Sequence, residues 1–144
     1  MTEQNYKNHV RMHPVYHYVG APIVFIAFIG TIIHLVLSII SGENISTSLL
    51  WVGGAVGLFI VFGLVRLYSN KLQDRVIRSE ENLRHYVLTG RLLDPNLKMS
   101  QIIALRFASD EEFPVLCEKA VKENLDSKQI KRSVQNWRGD YVRI

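Results

Sequence analysis

Two long apolar stretches set the pattern of the chain. Residues 22–40 read PIVFIAFIGTIIHLVLSII and residues 48–68 read SLLWVGGAVGLFIVFGLVRLY. No Asp, Glu, Lys or Arg occurs between Arg11 and Glu43, or between Glu43 and Arg66. A helix crosses a hydrocarbon core of about 30 Å with about 20 mostly apolar residues, and at ~1.5 Å of rise per residue each stretch reaches that length. The pattern predicts an all-α protein. A cytoplasmic N-terminal segment over 1–18 leads into a transmembrane hairpin over 19–68, with helices at about 22–40 and 48–68, and a cytoplasmic helical tail follows over 69–144. Two core helices of a soluble protein would show similar runs, but the rest of this chain is too polar to wrap both on every side. The first run is also long for a signal peptide and is followed by Ser41-Gly42-Glu43 rather than a small-x-small cleavage site. It is therefore expected to remain in the mature protein.

The overall composition, 48% hydrophobic with a formal net charge of +4, would suit a soluble protein; the uneven distribution changes that picture. Lys7 and Arg11 precede the first helix, Arg66, Lys71, Arg75 and Arg78 flank or follow the end of the second, and the loop 41–47 carries Glu43 alone. Basic residues mark the cytoplasmic ends of spans, which predicts that both termini lie in the cytoplasm. Tyr16, Tyr18, Trp51 and Tyr68 fall where interfacial aromatic belts are expected. The lone Cys117 forbids an intrachain disulfide and reads as a small buried apolar residue.

From Leu67 no Gly or Pro interrupts the helical pattern before Gly90, so the second helix is expected to extend into a cytoplasmic stalk. Leu72, Val76, Ser79, Leu83 and Tyr86 form a heptad-like seam along it. Packing against the chain's own tail is the simpler expectation for that seam, and pairing with a second copy is the other. Gly90 is placed as a helix C-cap and Leu93-Asp94-Pro95-Asn96 as a turn. Three short helices are predicted beyond it. The first covers 99–108 with Ile102, Ile103, Leu105 and Phe107. The second opens with a capping box from Ser109 to Glu112, has an apolar face of Phe113, Leu116, Cys117, Ala120 and Val121, and is loosened in its first turn by Pro114. The third is capped by Asp126 with Gln129, stapled by Leu125 against Ile130, and continues its buried face through Val134 to Trp137.

A polar group inside a span needs a partner, because leaving it unpaired in lipid costs several kcal/mol. Thr31, His34 and Ser38, with Ala27, form such a stripe on the first helix. Hydrogen bonding is the plain expectation for His34; a proton pathway or a haem iron is the sharper one, although the second span offers no His or Met as a second axial ligand. His9, His13 and His17 share a helical spacing that can hold a metal, but Pro14 interrupts it, and no metal site is expected. Gly53 and Gly57, beside Gly54 and Gly63, and Gly30 on the first helix let another helix come close. Lys128, Lys131, Arg132, Arg138 and Arg143 against Asp140 give the C-terminus a surface suited to anionic headgroups. Residues 110–137 loosely suggest two helices about a tight turn, but no recognition-helix pattern accompanies them, so no nucleic acid is expected. The chain contains no GxxxxGK[ST], GxSxG or HExxH, and neither an enzymatic activity nor a cofactor is expected.

The segments QDRVIRSEENLRH (73–85) and QIIALRFASDEEF (101–113), with the closing stretch 130–137, resemble an uncharacterised family of short bacterial two-pass membrane proteins, sometimes labelled ABC transporter permease. The resemblance spans essentially the whole chain and is most specific at Arg75, Arg78, Glu81, Arg84, His85, Arg106 and Asp110. It implies a multi-pass protein of the bacterial cytoplasmic membrane and brings no activity with it. Two spans are too few for a permease domain. The charged residues of the first segment lie within i to i+3 and i+4 reach of one another; they form either an internal ion-pair network that links the stalk to the helix bearing Arg106, or a docking face. The functional expectation is a non-enzymatic accessory or scaffolding subunit of a membrane complex, its partners being the lipid bilayer and other membrane subunits or itself. A histidine-dependent redox or proton-handling protein, with haem or metal, is the alternative from another class, and a homo-oligomeric membrane protein or channel is a third.

Overall fold

The computed structural model describes residues 13–139. Among these residues the chain is helical and has no regular strand: α1 spans Ala21–Ser41, α2 Ile45–Thr89, α3 Met99–Leu105, α4 Phe113–Lys122 and α5 Ser127–Ser133. A π-helical stretch, Val15–Gly20, runs directly into α1. The residues form two compact units, a hairpin that ends at Ser69 and a tail that begins at Asn70, and α2 contributes to both.

In the hairpin the first helix begins at Pro14, earlier than the expected start near residue 22. Pro22 has no N–H to donate, and its ring would collide with the carbonyl four residues back. The backbone widens just ahead of it, and the Ala21 N–H reaches the Tyr16 carbonyl five residues back. At the other end α1 stops at Gly42 (φ 75°), and Asn44 also turns left-handed (φ 59°), the conformation that glycine and asparagine tolerate best. The two helices meet through few side chains. The Tyr16 ring stacks on Phe62 at 4.3 Å, and its hydroxyl donates to the Phe62 carbonyl at 3.3 Å. Phe28 faces Phe59 at 5.8 Å. Gly20 passes so near Phe62 that a Cβ there would lie 3.1 Å from the ring. Most other apolar side chains point outwards: Ile26, Ile40 and Leu50 are 69%, 76% and 79% exposed. Both helices are long and apolar enough to cross a membrane, and only 6% of each apolar window is buried by the rest of the chain, unlike the core helices of a soluble protein.

The tail unit has a conventional buried core. Leu97, Ile102, Leu105, Phe113, Leu116, Cys117, Ala120, Ile130 and Val134 form it, and Ile77 of α2 packs against it. The helix α2 runs unbroken to Thr89 and stops where Gly90 takes φ 72° and donates to the Tyr86 carbonyl. The seam of Leu72, Val76, Ser79, Leu83 and Tyr86 does not pack on the tail, contrary to the simpler expectation; all five are exposed. The tail instead meets the side of α2 that carries Ile77, Glu81 and Arg84.

Three local expectations are corrected. The third helix is short and ends at Leu105, because the chain from Arg106 to Ala108 turns to receive the C-terminal segment: Arg138 N–H donates to the Phe107 carbonyl at 2.8 Å, and Ser109 N–H to the Asn136 carbonyl. The capping box from Ser109 to Glu112 does not form; α4 starts at Phe113, and the Glu112 carboxylate instead accepts from the N–H groups of Gln135 (3.1 Å) and Asn136 (2.8 Å). Pro114 therefore stands in the first turn, where its missing N–H costs nothing. Trp137 lies beyond the end of α5 on an extended strand-like segment bridged to Ala108, although its ring still packs on the core. The cap of α5 is as expected, with Asp126 accepting from Lys128 and Gln129 N–H and Gln129 returning the contact to Asp126 N–H.

The contrast between Gly20 and the open glycines yields a prediction. Gly20→Leu should push Phe62 aside and lower the stability of the detergent-solubilised chain by about 1–3 kcal/mol, whereas Gly53→Leu, with nothing within 4 Å of its Cβ position, should leave it unchanged or slightly raised. Thermal unfolding followed by circular dichroism separates the two.

Candidate functional site

Inside the hairpin the polar stripe of α1 finds its partner in Ser48, a residue of α2 that the sequence did not single out. Ser48 is fully buried; its hydroxyl lies 2.7 Å from the Ser38 hydroxyl and 2.9 Å from His34 Nδ1. It also reaches the Asn44 carbonyl at 3.0 Å. A hydroxyl has one proton to give and two lone pairs. Every group is used when Ser48 donates to Asn44 while Ser38 O–H and His34 Nδ1–H donate to Ser48. Thr31 does not join the cluster, since its hydroxyl returns to the Phe28 carbonyl of its own helix at 2.8 Å.

The glycines divide differently. Gly30, Gly53 and Gly57 have open space where a Cβ would stand, and so do Gly54 and Gly63. The helix that comes close within the chain does so at Gly20. Its signal was the small residue one turn from Tyr16, on the side that meets Phe62.

The charged residues of the tail gather around Arg84. Its guanidinium bonds Glu81 Oε2 at 3.0 Å, Asp110 Oδ1 at 2.7 Å and the Ala108 carbonyl at 2.7 Å. It also lies over the Phe113 ring at 4.3 Å, with His85 against the edge of that ring. The side chains of Arg84 and Glu81 are only 10% and 9% exposed, so this pair is an internal fastening. His85 Nδ1 donates to the Arg91 carbonyl at 2.7 Å, and Asn82 accepts from Leu93 N–H, so the chain after Gly90 is tied back onto α2. Arg106 is buried with its guanidinium 4.7 Å from the Phe107 ring centre. The seven expected residues thus do not form one docking face: Glu81, Arg84, His85, Arg106 and Asp110 hold the tail together, and Arg75 and Arg78 remain exposed without an ion pair to another described residue.

Two further buried groups matter. Gln101 was not anticipated; its carboxamide accepts from Lys98 N–H and donates to the Leu125 carbonyl at 2.8 Å, which ties the start of α3 to the turn before α5. The Cys117 thiol is pushed up to about 12, first by burial and then by the nearby Glu81 carboxylate. On the surface, the nearby Ser109 hydroxyl and its own backbone N–H hold the Glu111 carboxyl below its ordinary range.

Of the three spaced histidines, His9 lies outside the described residues, as do Lys7, Arg11, Asp140 and Arg143. His13 precedes the helix opened by Pro14 and accepts from Tyr16 N–H through Nδ1 at 3.3 Å. His17 donates its backbone N–H to the His13 carbonyl and sets its ring edge-on to Tyr16. Among the described residues no three His, Cys, Asp or Glu side chains converge on a common point.

A family model described as "Family of unknown function (DUF6526)" matches residues 1–144. No curated protein and no solved structure matches the chain.

Two predictions follow from the buried groups. Arg84→Met strands Glu81 in the interior and should lower tail stability by about 3 kcal/mol, while Glu81→Leu with Arg84→Met should recover most of that loss; chemical unfolding read by circular dichroism compares them. Cys117 should resist iodoacetamide at pH 8 in the folded chain and react freely once it is unfolded. Its neutral thiol stabilises the folded state fully below the ordinary value of 9.0, and that contribution is lost as pH rises towards about 12. A Cys117→Ala chain should therefore show a shallower decline in stability over that interval.

Proposed function

We propose that this chain, which belongs to the DUF6526 family of unknown function, is a non-enzymatic accessory subunit that joins a bilayer-spanning partner to a folded cytoplasmic module. In this reading α1 and the apolar part of α2 span the bacterial cytoplasmic membrane. Lys71, Arg75 and Arg78 hold the far half of α2 on the cytoplasmic side, so both termini are inside. The tail unit then stands in the cytoplasm, where the exposed Lys128 and Arg138 can meet anionic headgroups or a partner.

The observation that carries this reading is the open glycine side of α2. Gly53 and Gly57 are one helical turn apart and meet nothing among the described residues, because α1 lies against Ser48, Phe59 and Phe62 instead. In lipid, where apolar surface alone gives helices little reason to associate, such steps are used for close backbone contact with another helix. A structural role for the polar groups agrees with it. His34 and Ser38 are bound to Ser48, and Glu81, Arg84 and Asp110 to one another, so the groups best suited to chemistry are engaged in the fold.

The test is gentle detergent extraction of the tagged chain, with mass spectrometry of what accompanies it and a visible spectrum of the same sample. A stoichiometric membrane protein in a colourless sample is expected, and Gly57→Leu should reduce its recovery about tenfold or more while the tail stays folded. A pure, coloured homo-oligomer would overturn the proposal and turn attention to His34 as a haem or proton site.

A further inference from the structure

We propose that the stalk portion of α2 is a parallel two-stranded coiled coil with a second copy of this chain. The seam supplies the geometry. Written as a heptad, Val76 and Leu83 take the a positions and Leu72, Ser79 and Tyr86 the d positions. Leu72 and Leu83 are 63% and 64% exposed, and Val76 and Tyr86 are also open. The tail unit occupies the far side of the same stretch: Ile77, Glu81, Arg84 and His85, which pack on or bond to it, fall at b, f, b and c. Those are the positions that face away from a coiled-coil partner, so tail and second copy do not compete for the same surface.

Charge selects the occupant. Arg75 stands at a g position and Glu80 at the following e position; both are exposed and neither makes an ion pair with another described residue. In a parallel pair the g residue of one helix meets the next e residue of the other. Arg75 would therefore face Glu80 of the second copy, and Glu80 would face that copy's Arg75. An antiparallel pair would bring like charges together. The parallel direction is also the one that two identically inserted copies must adopt, and here the inference rests on the membrane reading given above. Lipid does not cover this seam in that reading, because Asp74, Arg75, Arg78 and Glu80 are interleaved with it and charged side chains are costly in hydrocarbon.

Two heptads with Ser79 at a core position make a weak coil in isolation. Confinement of both helices to one membrane raises their effective concentration, as a linker does for tethered modules. A β-branched a residue such as Val76 favours two strands over three.

The test is disulfide cross-linking of the full chain in its membranes, on a Cys117→Ala background. Val76→Cys and Leu83→Cys should give covalent dimers on mild oxidation, since facing a positions come within disulfide reach, while Arg78→Cys, on the outer side, should give far fewer. A carbonate wash of the same membranes reads the insertion separately. A retained chain with equal or absent cross-linking at the three sites overturns the dimer. Release by carbonate overturns the membrane reading, and the same three cysteines then decide the dimer in solution. A second measurement leaves Cys117 in place: the Arg75→Glu and Glu80→Arg chains should each dimerise about tenfold more weakly in mild detergent, and the doubly swapped chain should recover. A doubly swapped chain as weak as either single variant, or a native chain that stays monomeric at every concentration, overturns the proposal.

Discussion

The grip of Arg84 on the loop between α3 and α4 is the contact on which the tail unit depends. That loop carries Phe107 and Ala108, both almost completely buried, and buried backbone carbonyls must find donors. Arg84 gives one to Ala108 from the side of α2, and Arg138 gives one to Phe107 from the C-terminal segment. Around these bonds Phe107 is packed between Trp137 and the cations of Arg106 and Lys131, and Phe113 lies under Arg84 itself. A charge this deep is tolerable only because Glu81 and Asp110 accompany it. The core of α3, α4 and α5 then closes around a loop whose Phe107 and Ala108 carbonyls are already bonded.

The hairpin is held on a different principle. Its helices share a Tyr16–Phe62 stack, one aromatic contact near its middle and a polar trio near the loop, in which His34 joins the buried Ser38 and Ser48. In water so sparse an interface would leave a large apolar surface unmatched. In lipid the bilayer itself covers that surface, and the polar trio becomes costly to separate because no water replaces its hydrogen bonds. The trio and the Tyr16–Phe62 stack therefore fix the register of α1 on α2, while the rest of both helices remains available.

The features legible in the sequence were those governed by local rules. The two apolar runs, the unbroken stalk, the stop at Gly90 and the Asp126–Gln129 cap each depend on residues close together in the chain, and each is found. The misread features depended on partners far away. Ser109 and Glu112 have the spacing of a capping box, but Glu112 is drawn instead to the N–H groups of Gln135 and Asn136, more than twenty residues on. The heptad seam fits either the tail or a second copy, yet the tail takes the side with Ile77 and the ions, where Arg84 reaches Ala108. Ser48 escaped notice for the same reason, as a single hydroxyl at the start of an apolar run means little until His34 and Ser38 are placed beside it. Of the seven charged residues read as ion pairs or a docking face, five are explained by folding and two, Arg75 and Arg78, are left for the surface.

That division bears on what kind of function the chain can have. Catalytic groups are usually recognised by being held ready but incompletely satisfied. Here most buried polar groups are matched, Ser109 Oγ being an exception, and what stays uncovered is extended and repetitive: a glycine step in the apolar half of α2, a heptad seam with self-complementary charges in the polar half, and the exposed Lys128 at the start of α5. Each of these suits a surface that is also extended, whether a helix backbone, a second heptad seam or a plane of headgroups. The uninterrupted length of α2 explains why one chain can offer two of them. No Gly or Pro falls between Leu67 and Thr89, so the helical hydrogen bonding runs on and the polar half keeps its seam as one continuous helix face. On the reading proposed above, a fold that keeps its polar chemistry for internal fastening and leaves regular helix faces uncovered serves association.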